Sequence, residues 1–412
     1  MNVRTYAVVT GGYWAFTLTD GALRTLVLLH FHRLGYSPVA IAFLFLLYEA
    51  MGVVTNLVGG WIGARWGLNR ILVAGLTLQV LTLGAMSLAA DGWPRWWSVL
   101  YVMGLQALSG VAKDLTKLSS KSAVKVVVAE GALFRAVAVL TGSKNALKGA
   151  GFFAGAALLG AVGFAPTLWI LMAVVGAGLV TVVVLLDADL GRAPEPTRLG
   201  AILSPSQSVN RLSVARLLLF GSRDIWFVVA LPVALADRAG WSLEAIGAFL
   251  AAWVVGYGGV QAITPRIMGG SERSAGASVG REIPAARRWA LALTVVTVVL
   301  AVTTSLWDSV WVLVGGLAVF GVVFALNSSL HSYLILAYSN SAATSLDVGF
   351  YYSANAAGRL IGTLLSGLLA LWGGLGAALW GSALFVGASW LCALGLRPVE
   401  SPGADPSDTL AS

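Results

Sequence analysis

Along its length the chain alternates between long apolar runs and short breaks that carry charge, glycine or proline. The runs cover residues 8–31, 38–63, 71–90, 96–116, 141–163, 166–186, 214–236, 243–265, 289–307, 309–337, 348–372 and 375–396. Each approaches or exceeds the ~20 residues that a helix needs to cross the hydrocarbon core of a bilayer. In lipid only helices or closed barrels satisfy their own backbone, and these runs lack the two-residue alternation of a barrel strand. The pattern predicts an all-α integral membrane protein with twelve transmembrane helices.

Two polar stretches interrupt the series. DADLGRAPEPTRLGAILSPSQSVNRL at 187–212 is rich in proline and charge, and GGSERSAGASVGREIPAARR at 269–288 reads likewise. The first divides the chain into an N-terminal six-helix bundle, 1–187, and a C-terminal one, 213–397, joined by a cytosolic linker at 188–212. The tail, 398–412, has the composition of a disordered segment. The halves also resemble each other. FTLTD at Phe16–Asp20 aligns with FGSRD at Phe220–Asp224, and LGYSPVAIAF at 34–43 aligns with AGWSLEAIGA at 239–248. Each match runs from the end of a half's first helix into its second, as expected of a duplicated unit.

Composition agrees with the pattern. Hydrophobic residues make up 58% and charged residues 11%, against roughly 25% charged in a soluble domain. Nothing is left for a large soluble domain. The one cysteine, Cys392, lies in the last apolar run, which excludes a disulfide framework and a Cys-x-x-Cys metal pair. The first run contains Asp20 and Arg24 and is followed by no small-residue cleavage site, so it reads as an uncleaved helix.

The net charge of +8 fits loops that meet anionic lipid and requires no nucleic acid. With the N-terminus in the cytosol, 19 of the 26 Lys and Arg fall at cytosolic ends and three fall outside. That bias predicts a multi-pass protein of the inner (plasma) membrane with both termini cytosolic.

Charge inside the apolar runs costs about 2.5–3.5 kcal/mol per group even on lenient insertion scales, so it marks function. It falls at Asp20 and Arg24 (first run), Glu49 (second), Lys113 and Asp114 (fourth), Lys144 and Lys148 (fifth), Arg216, Arg223 and Asp224 (seventh) and Arg359 (eleventh). The third, sixth, ninth and twelfth runs have none. We read this three-helix period as two lipid-facing helices per half, with the rest around a polar cavity.

The lysines have helical spacing. Lys113, Lys117, Lys121 and Lys125 lie four apart, as do Lys144 and Lys148, so each set forms one positive stripe. We expect Lys113, Lys144, Lys148, Arg359, Asn355 and Arg24 to contact a small anion, and Lys117, Lys121 and Lys125 to snorkel toward lipid phosphates. Asp20 and Arg24 can pair on one face, either for packing or as a pair that exchanges partners. Glu49 has no partner nearby in sequence and reads as a proton-titrating group or a hydrogen bond to a neighbouring helix. Asp224 and Arg223 join these as coupling residues. Asn327 and His331 read as a hydrogen-bonded core pair, and His30 and His32 as interface residues. TGSKNALKG lacks the order of a phosphate-binding loop and no strand precedes it, so neither ATP hydrolysis nor another enzymatic activity is expected, nor a metal or cofactor.

At the break after the second run the chain reads GGWIGARWGLNR. It resembles the cytosolic signature of the major facilitator superfamily at Gly60, Arg65, Gly67 and Arg70, with Ala64 where the aspartate usually stands. The resemblance implies gating roles for Arg65 and Arg70 and that superfamily's two-bundle fold. The glycine-rich fifth run, GAGFFAGAALLG, lacks the proline of the antiporter signature. TLTDGALRTLVLLHF, GYSPVAIAFLFLLYE, ALSGVAKDLTKLSSKSAVK and LTGSKNALKGAGFF together resemble the organoarsenical efflux permeases of bacterial arsenic resistance. That resemblance implies export of 1-arseno-3-phosphoglycerate; with no ATP-binding motif, we expect a monomeric antiporter driven by an ion gradient. Its functional link is to glyceraldehyde-3-phosphate dehydrogenase, which makes the ester when it uses arsenate. The alternative is a permease for another phosphorylated or carboxylate metabolite.

Overall fold

The computed structural model describes residues 3–127, 130–186, 206–267, 279–307, 309–338 and 344–397, of which 3, 59–66, 121–127, 130–142, 265–266, 279–282, 336–337 and 344–348 are described by their backbone alone. The helices are α1 (Val3–Arg33), α2 (Pro38–Trp66), α3 (Leu68–Met86), α4 (Arg95–Val127), α5 (Glu130–Val162), α6 (Phe164–Leu185), α7 (Gln207–Phe227), α8 (Ala230–Asp237), α9 (Leu243–Ile267), α10 (Val279–Leu306), α11 (Val310–Tyr338) and α12 (Thr344–Leu394). Among the described residues, nine stretches are long and apolar enough to span a bilayer. Neither α1, which carries Asp20 and Arg24, nor α4, which carries Lys113, Asp114 and Lys117, is among them.

Two places depart from the simple series of twelve. α7 and α8 form one apolar stretch, Gln207–Asp237, broken near Val229. Pro232 explains the break: it has no N–H, and its ring clashes with the carbonyl four residues back, at Val228. The Val229 and Ala230 N–H groups freed by the break both donate to Ser366 Oγ at 3.1 Å.

α12 spans 51 residues but is two helices joined at a kink; unbroken, it would run roughly 77 Å, more than twice the ~30 Å core of a bilayer. It folds back at Gly373 and Gly374, and Gly374 takes φ 65°, ψ −155°, a conformation open to glycine and few other residues. The arm at 344–372 runs parallel to α7, with Gly358 against Leu217 and Gly362 against Gly221. The arm at 375–394 runs antiparallel to it, with Gly381 near Ile225, Gly221 against Phe385, and Ser389 Oγ donating to Ala215 O at 2.8 Å.

Other boundaries also shift. α4 continues to Val127 and α5 begins at Glu130, so the stretch between the fourth and fifth apolar runs is largely helical. The stretch expected as linker lies outside the described residues up to 205, and from Gln207 it is already α7; the tail from 398 also lies outside. Gly67, which matches the signature glycine, has φ 79° at the turn from α2 to α3.

Helices α1–α6 pack on one side of the molecule and α7–α12 on the other, with α2 against α12 and α5 against α9 across the middle. Close crossings recur in the two halves. Gly151 and Gly155 of α5 let it approach the α1 backbone at Leu18 and Ala22, and Gly358 and Gly362, at the same spacing, do so for α12 on α7. Small residues four apart are the usual means for membrane helices to approach closely.

α3, α6, α10 and the second arm of α12 hold the periphery. Leu81, Trp169, Val183, Val295, Val299 and Leu384 are exposed there, as befits lipid-facing surface. Trp96, Trp307, Trp311 and Trp372 are exposed at the end opposite the N-terminus, where interfacial aromatics collect.

A side chain at Gly358 would strike the Leu217 carbonyl, whereas one at Gly315 meets nothing within 4 Å. We therefore expect Gly358→Val to lower the melting temperature of the detergent-purified protein by about 5 °C or more. Gly315→Ala should leave it unchanged or raise it. Equal melting of Gly358→Val and wild type would refute the close crossing.

Candidate functional site: a charged cavity between the halves

Between the halves lies a cavity of about 260 Å³, lined from α1, α2, α4, α5, α7, α9, α11 and the first arm of α12. Among the described residues, none that lines it comes from α3, α6, α10 or the second arm of α12. Among the described residues, eight cations line it (Arg24, Lys113, Lys117, Lys144, Lys148, Arg216, Arg223 and Arg359) against four carboxylates (Asp20, Glu49, Asp114 and Asp224). Cations thus exceed carboxylates by four.

A ladder of ion pairs crosses the middle. Arg24 Nη1 donates to Glu49 Oε1 at 2.9 Å, and Arg359 Nη2 donates to the same oxygen at 2.6 Å. Arg359 Nε donates to Asp224 Oδ2 at 3.1 Å, while Arg223 Nε donates to Asp224 Oδ1 at 2.7 Å. The order is Arg24, Glu49, Arg359, Asp224, Arg223, with the Glu49–Arg359 bond joining the halves. Glu49 and Asp224 are about 1% exposed, so the pairs work in a low dielectric where stranding one member is expensive.

Two smaller clusters occupy the N-terminal half. Tyr48 Oη donates to Asp20 Oδ1 at 2.6 Å, and Lys148 Nζ stands 3.9 Å from the other Asp20 oxygen. Asp114 accepts from Thr55 Oγ1 at 2.7 Å and lies 3.4 Å from Lys117 and 3.8 Å from Lys113. Lys113 also sits 4.1 Å from the centre of the Tyr48 ring. Each half therefore pairs the aspartate of its first helix with a cation: Asp20 with Lys148, and Asp224 with Arg359.

Lys113, Lys144, Lys148, Arg359, Asn355, Arg24, Asp20, Glu49, Asp224 and Arg223 all line this one cavity. Several pairings differ from those expected. Asp20 and Arg24 do not pair: Arg24 reaches across to Glu49, and Asp20 turns to Tyr48 and Lys148. Glu49 is far from solitary, since two arginines share its Oε1. Arg359 is no free anion ligand but lies between two carboxylates.

Lys117 does not snorkel. It donates to Asn56 Oδ1 at 3.1 Å and lines the cavity, because Asp114 one turn earlier attracts it inward. The side chains of Lys121, Lys125 and Arg65 lie outside those described. Arg70 is exposed at the start of α3, away from the cavity.

Sequence reading missed Arg216 as a site residue, along with the polar wall of Tyr257, Gln261, Ser328 and Ser332. Arg216 was visible as a charge within an apolar run. The uncharged wall gave no signal of its own. Asn327 donates to Trp289 O at 2.8 Å, outside the cavity, and His331 is buried nearby.

The end of the molecule opposite the N-terminus holds the halves together. His32 Nε2 lies 3.0 Å from Asp237 Oδ1, Glu244 packs on Gly160, and Gly367 packs on the backbone of Pro38. Toward the other end Asn145 Nδ2 donates to Gln261 Oε1 at 3.3 Å, and Ser353 Oγ donates to Val53 O at 3.3 Å.

No family model matches the sequence, and no curated protein matches it significantly. Solved structures do match its fold. A bacterial homologue of the iron transporter ferroportin in its inward-facing state superposes with TM-score 0.73 at 16% identity, covering 96% of this chain and 99% of that one. Its outward-facing state gives 0.67 at 15% identity over 95% and 99% of the two chains. A POT family transporter bound to 5-aminolevulinic acid gives 0.74 at 12% identity over 95% of each chain. The human organic anion transporter MFSD10 gives 0.65 at 15% identity over 95% and 99%. These likenesses show that the chain shares its fold with those transporters, and the nine stretches among its described residues that are long and apolar enough to cross a bilayer make it a multi-pass membrane protein.

Glu49→Gln removes the charge that Arg24 and Arg359 share. We expect it to cost about 3 kcal/mol or more, read as a lower melting temperature in detergent. Adding Arg24→Gln should recover part of that loss by removing one unpaired cation. If Glu49→Gln melts with the wild type, the ladder contributes nothing to stability.

Proposed function

We propose that this protein is an exporter of small organic anions working by alternating access between its two halves. Its substrate is 1-arseno-3-phosphoglycerate, and its effect is resistance to arsenate. The observation that carries the anion reading is the cavity's excess of four positive charges between the halves of a transporter fold. Low dielectric strengthens each contact to an oxyanion there. The organoarsenical assignment rests on sequence resemblance in TLTDGALRTLVLLHF, GYSPVAIAFLFLLYE, ALSGVAKDLTKLSSKSAVK and LTGSKNALKGAGFF.

In this reading the chain crosses the inner membrane twelve times, α7 with α8 counting as one span and α12 as two, with both termini in the cytosol. The cavity then takes its substrate from the cytosolic side. The outer seal of His32, Asp237, Glu244 and Gly160 and the better match to an inward-facing relative support that orientation.

Residues divide by how firmly they are held. Lys148 and Lys113 lie 3.9 and 3.8 Å from their carboxylates, loose enough to turn to a substrate oxyanion. Lys144 and Asn355 stand beside them on the cavity wall. Arg24, Glu49, Arg359, Asp224 and Arg223 form the element whose partners exchange between states, with Asp20 coupled to it through Tyr48 and Lys148. An ion gradient supplies the energy. The dehydrogenase supplies the substrate, and the ester hydrolyses after release.

Everted membrane vesicles given the dehydrogenase, arsenate and glyceraldehyde-3-phosphate should accumulate arsenic only when all three are present. Lys148→Ala and Lys113→Ala should each reduce that uptake about tenfold. Uptake of free arsenate without the dehydrogenase would sink the organoarsenical reading. Strong competition by 3-phosphoglycerate, with transport of that compound itself, would favour a general permease for phosphorylated metabolites.

A further inference from the structure

Arg216 is 5% exposed and lines the cavity, and its surroundings differ from those of six of the cavity's other cations. Arg24, Lys113, Lys117, Lys148, Arg223 and Arg359 each stand within 4.0 Å of a carboxylate. Among the described residues Arg216 has no carboxylate in that range. Its Nε donates to Asn355 Oδ1 at 2.9 Å, and its Nη1 donates to Ser328 O at 3.0 Å and Ser328 Oγ at 3.1 Å. These acceptors are all neutral. Nη2 makes no hydrogen bond among the described residues.

A buried cation without a counter-ion is costly in a low dielectric, yet this one is held in a single orientation. Its guanidinium lies 4.0 Å from the centre of the Phe220 ring and 5.2 Å from that of Tyr351. The neutral acceptors fix two of its three nitrogens and leave the third free. Around it Gln261 Nε2 donates to Ser328 Oγ at 3.1 Å, and Tyr257 Oη lies 3.4 Å from the same oxygen. Ser332 completes the wall. The missing component of this arrangement is negative charge.

We infer that Arg216, oriented by Asn355 and Ser328, is a subsite for a tetrahedral oxyanion at one end of the transported molecule, a role that rests on the anion-exporter reading. Tyr257, Gln261 and Ser332 supply neutral donors around the anion. A phosphate end suits the place better than a planar carboxylate, because donors from several directions match oxygens that do not share a plane. The other end of the substrate then faces Lys113 and Lys148 in the opposite half. A molecule with one negative group at each end bridges the two halves, and a singly charged one does not.

The test titrates 3-phosphoglycerate into the detergent-purified full-length chain, with vesicle uptake measured alongside. Losing one charge-assisted contact should weaken binding by Arg216→Gln roughly 10- to 100-fold. Arg216→Lys keeps the charge but loses the planar fork, so it should weaken binding by about fivefold or more. This variant decides the matter if Arg216→Gln fails to fold. A folded Arg216→Gln with wild-type affinity overturns the subsite and leaves export standing. Wild-type uptake without binding of the probe does the same. Wild-type protein that neither binds the probe nor takes up the arsenate product overturns the exporter reading and the subsite together.

Discussion

The structure turns on the hydrogen bonds by which Arg359 joins Glu49 of one half to Asp224 of the other. Five ionised side chains at mid-depth would be intolerable singly, since each costs several kcal/mol to remove from water. Linked in the order Arg24, Glu49, Arg359, Asp224, Arg223, each satisfies the next. The helices that carry them are thereby committed to facing one another. The glycine crossings of α5 on α1 and of α12 on α7 serve the same end, because backbones in contact bring short carboxylates within reach of cations on the neighbouring helix, Asp20 of Lys148 and Asp224 of Arg359.

Much of this architecture was legible as pattern. Apolar runs gave the helices, and α3, α6, α10 and the second arm of α12, which correspond to the charge-free third, sixth, ninth and twelfth runs, stay out of the cavity. The tenth run also lacks Asp, Glu, Lys and Arg, yet its helix α11 brings Ser328 and Ser332 to the wall. The resemblance of FTLTD to FGSRD placed Asp20 and Asp224 in corresponding positions, and each aspartate proves to meet a cation on another helix of its own half. The break in α7 follows from Pro232, and the fold-back in α12 from Gly373 and Gly374, both single-residue effects.

Pairing between helices was not legible, and the reason is physical. Sequence spacing reports neighbours on one helix, so Asp20 and Arg24 looked like partners and Glu49 looked alone. Across helices a partner is chosen by depth and rotation, which packing sets. Lys117 shows the same limit. Spacing put it on a stripe with Lys121 and Lys125, but only the contact with Asp114 and with Asn56 of α2 shows that it turns inward. Neutral groups such as Ser328 and Gln261 carry no signal in an apolar run until a charge is seen to depend on them.

Under the exporter reading, the excess of positive charge bears on how the protein avoids idle cycling. Closing an aqueous cavity around eight cations and four carboxylates leaves four charges to be desolvated without compensation, a cost that grows as the dielectric falls. An anion with two negative groups reduces that excess to two, and one with more negative charge reduces it further. A substrate also offers Arg359 and its neighbours alternative acceptors, so the bond between Glu49 and Arg359 can part without stranding either charge. The empty cavity is thus electrostatically reluctant to close, and the loaded one is not. Under the exporter reading, the imbalance that attracts the anion also couples its binding to the movement of the halves.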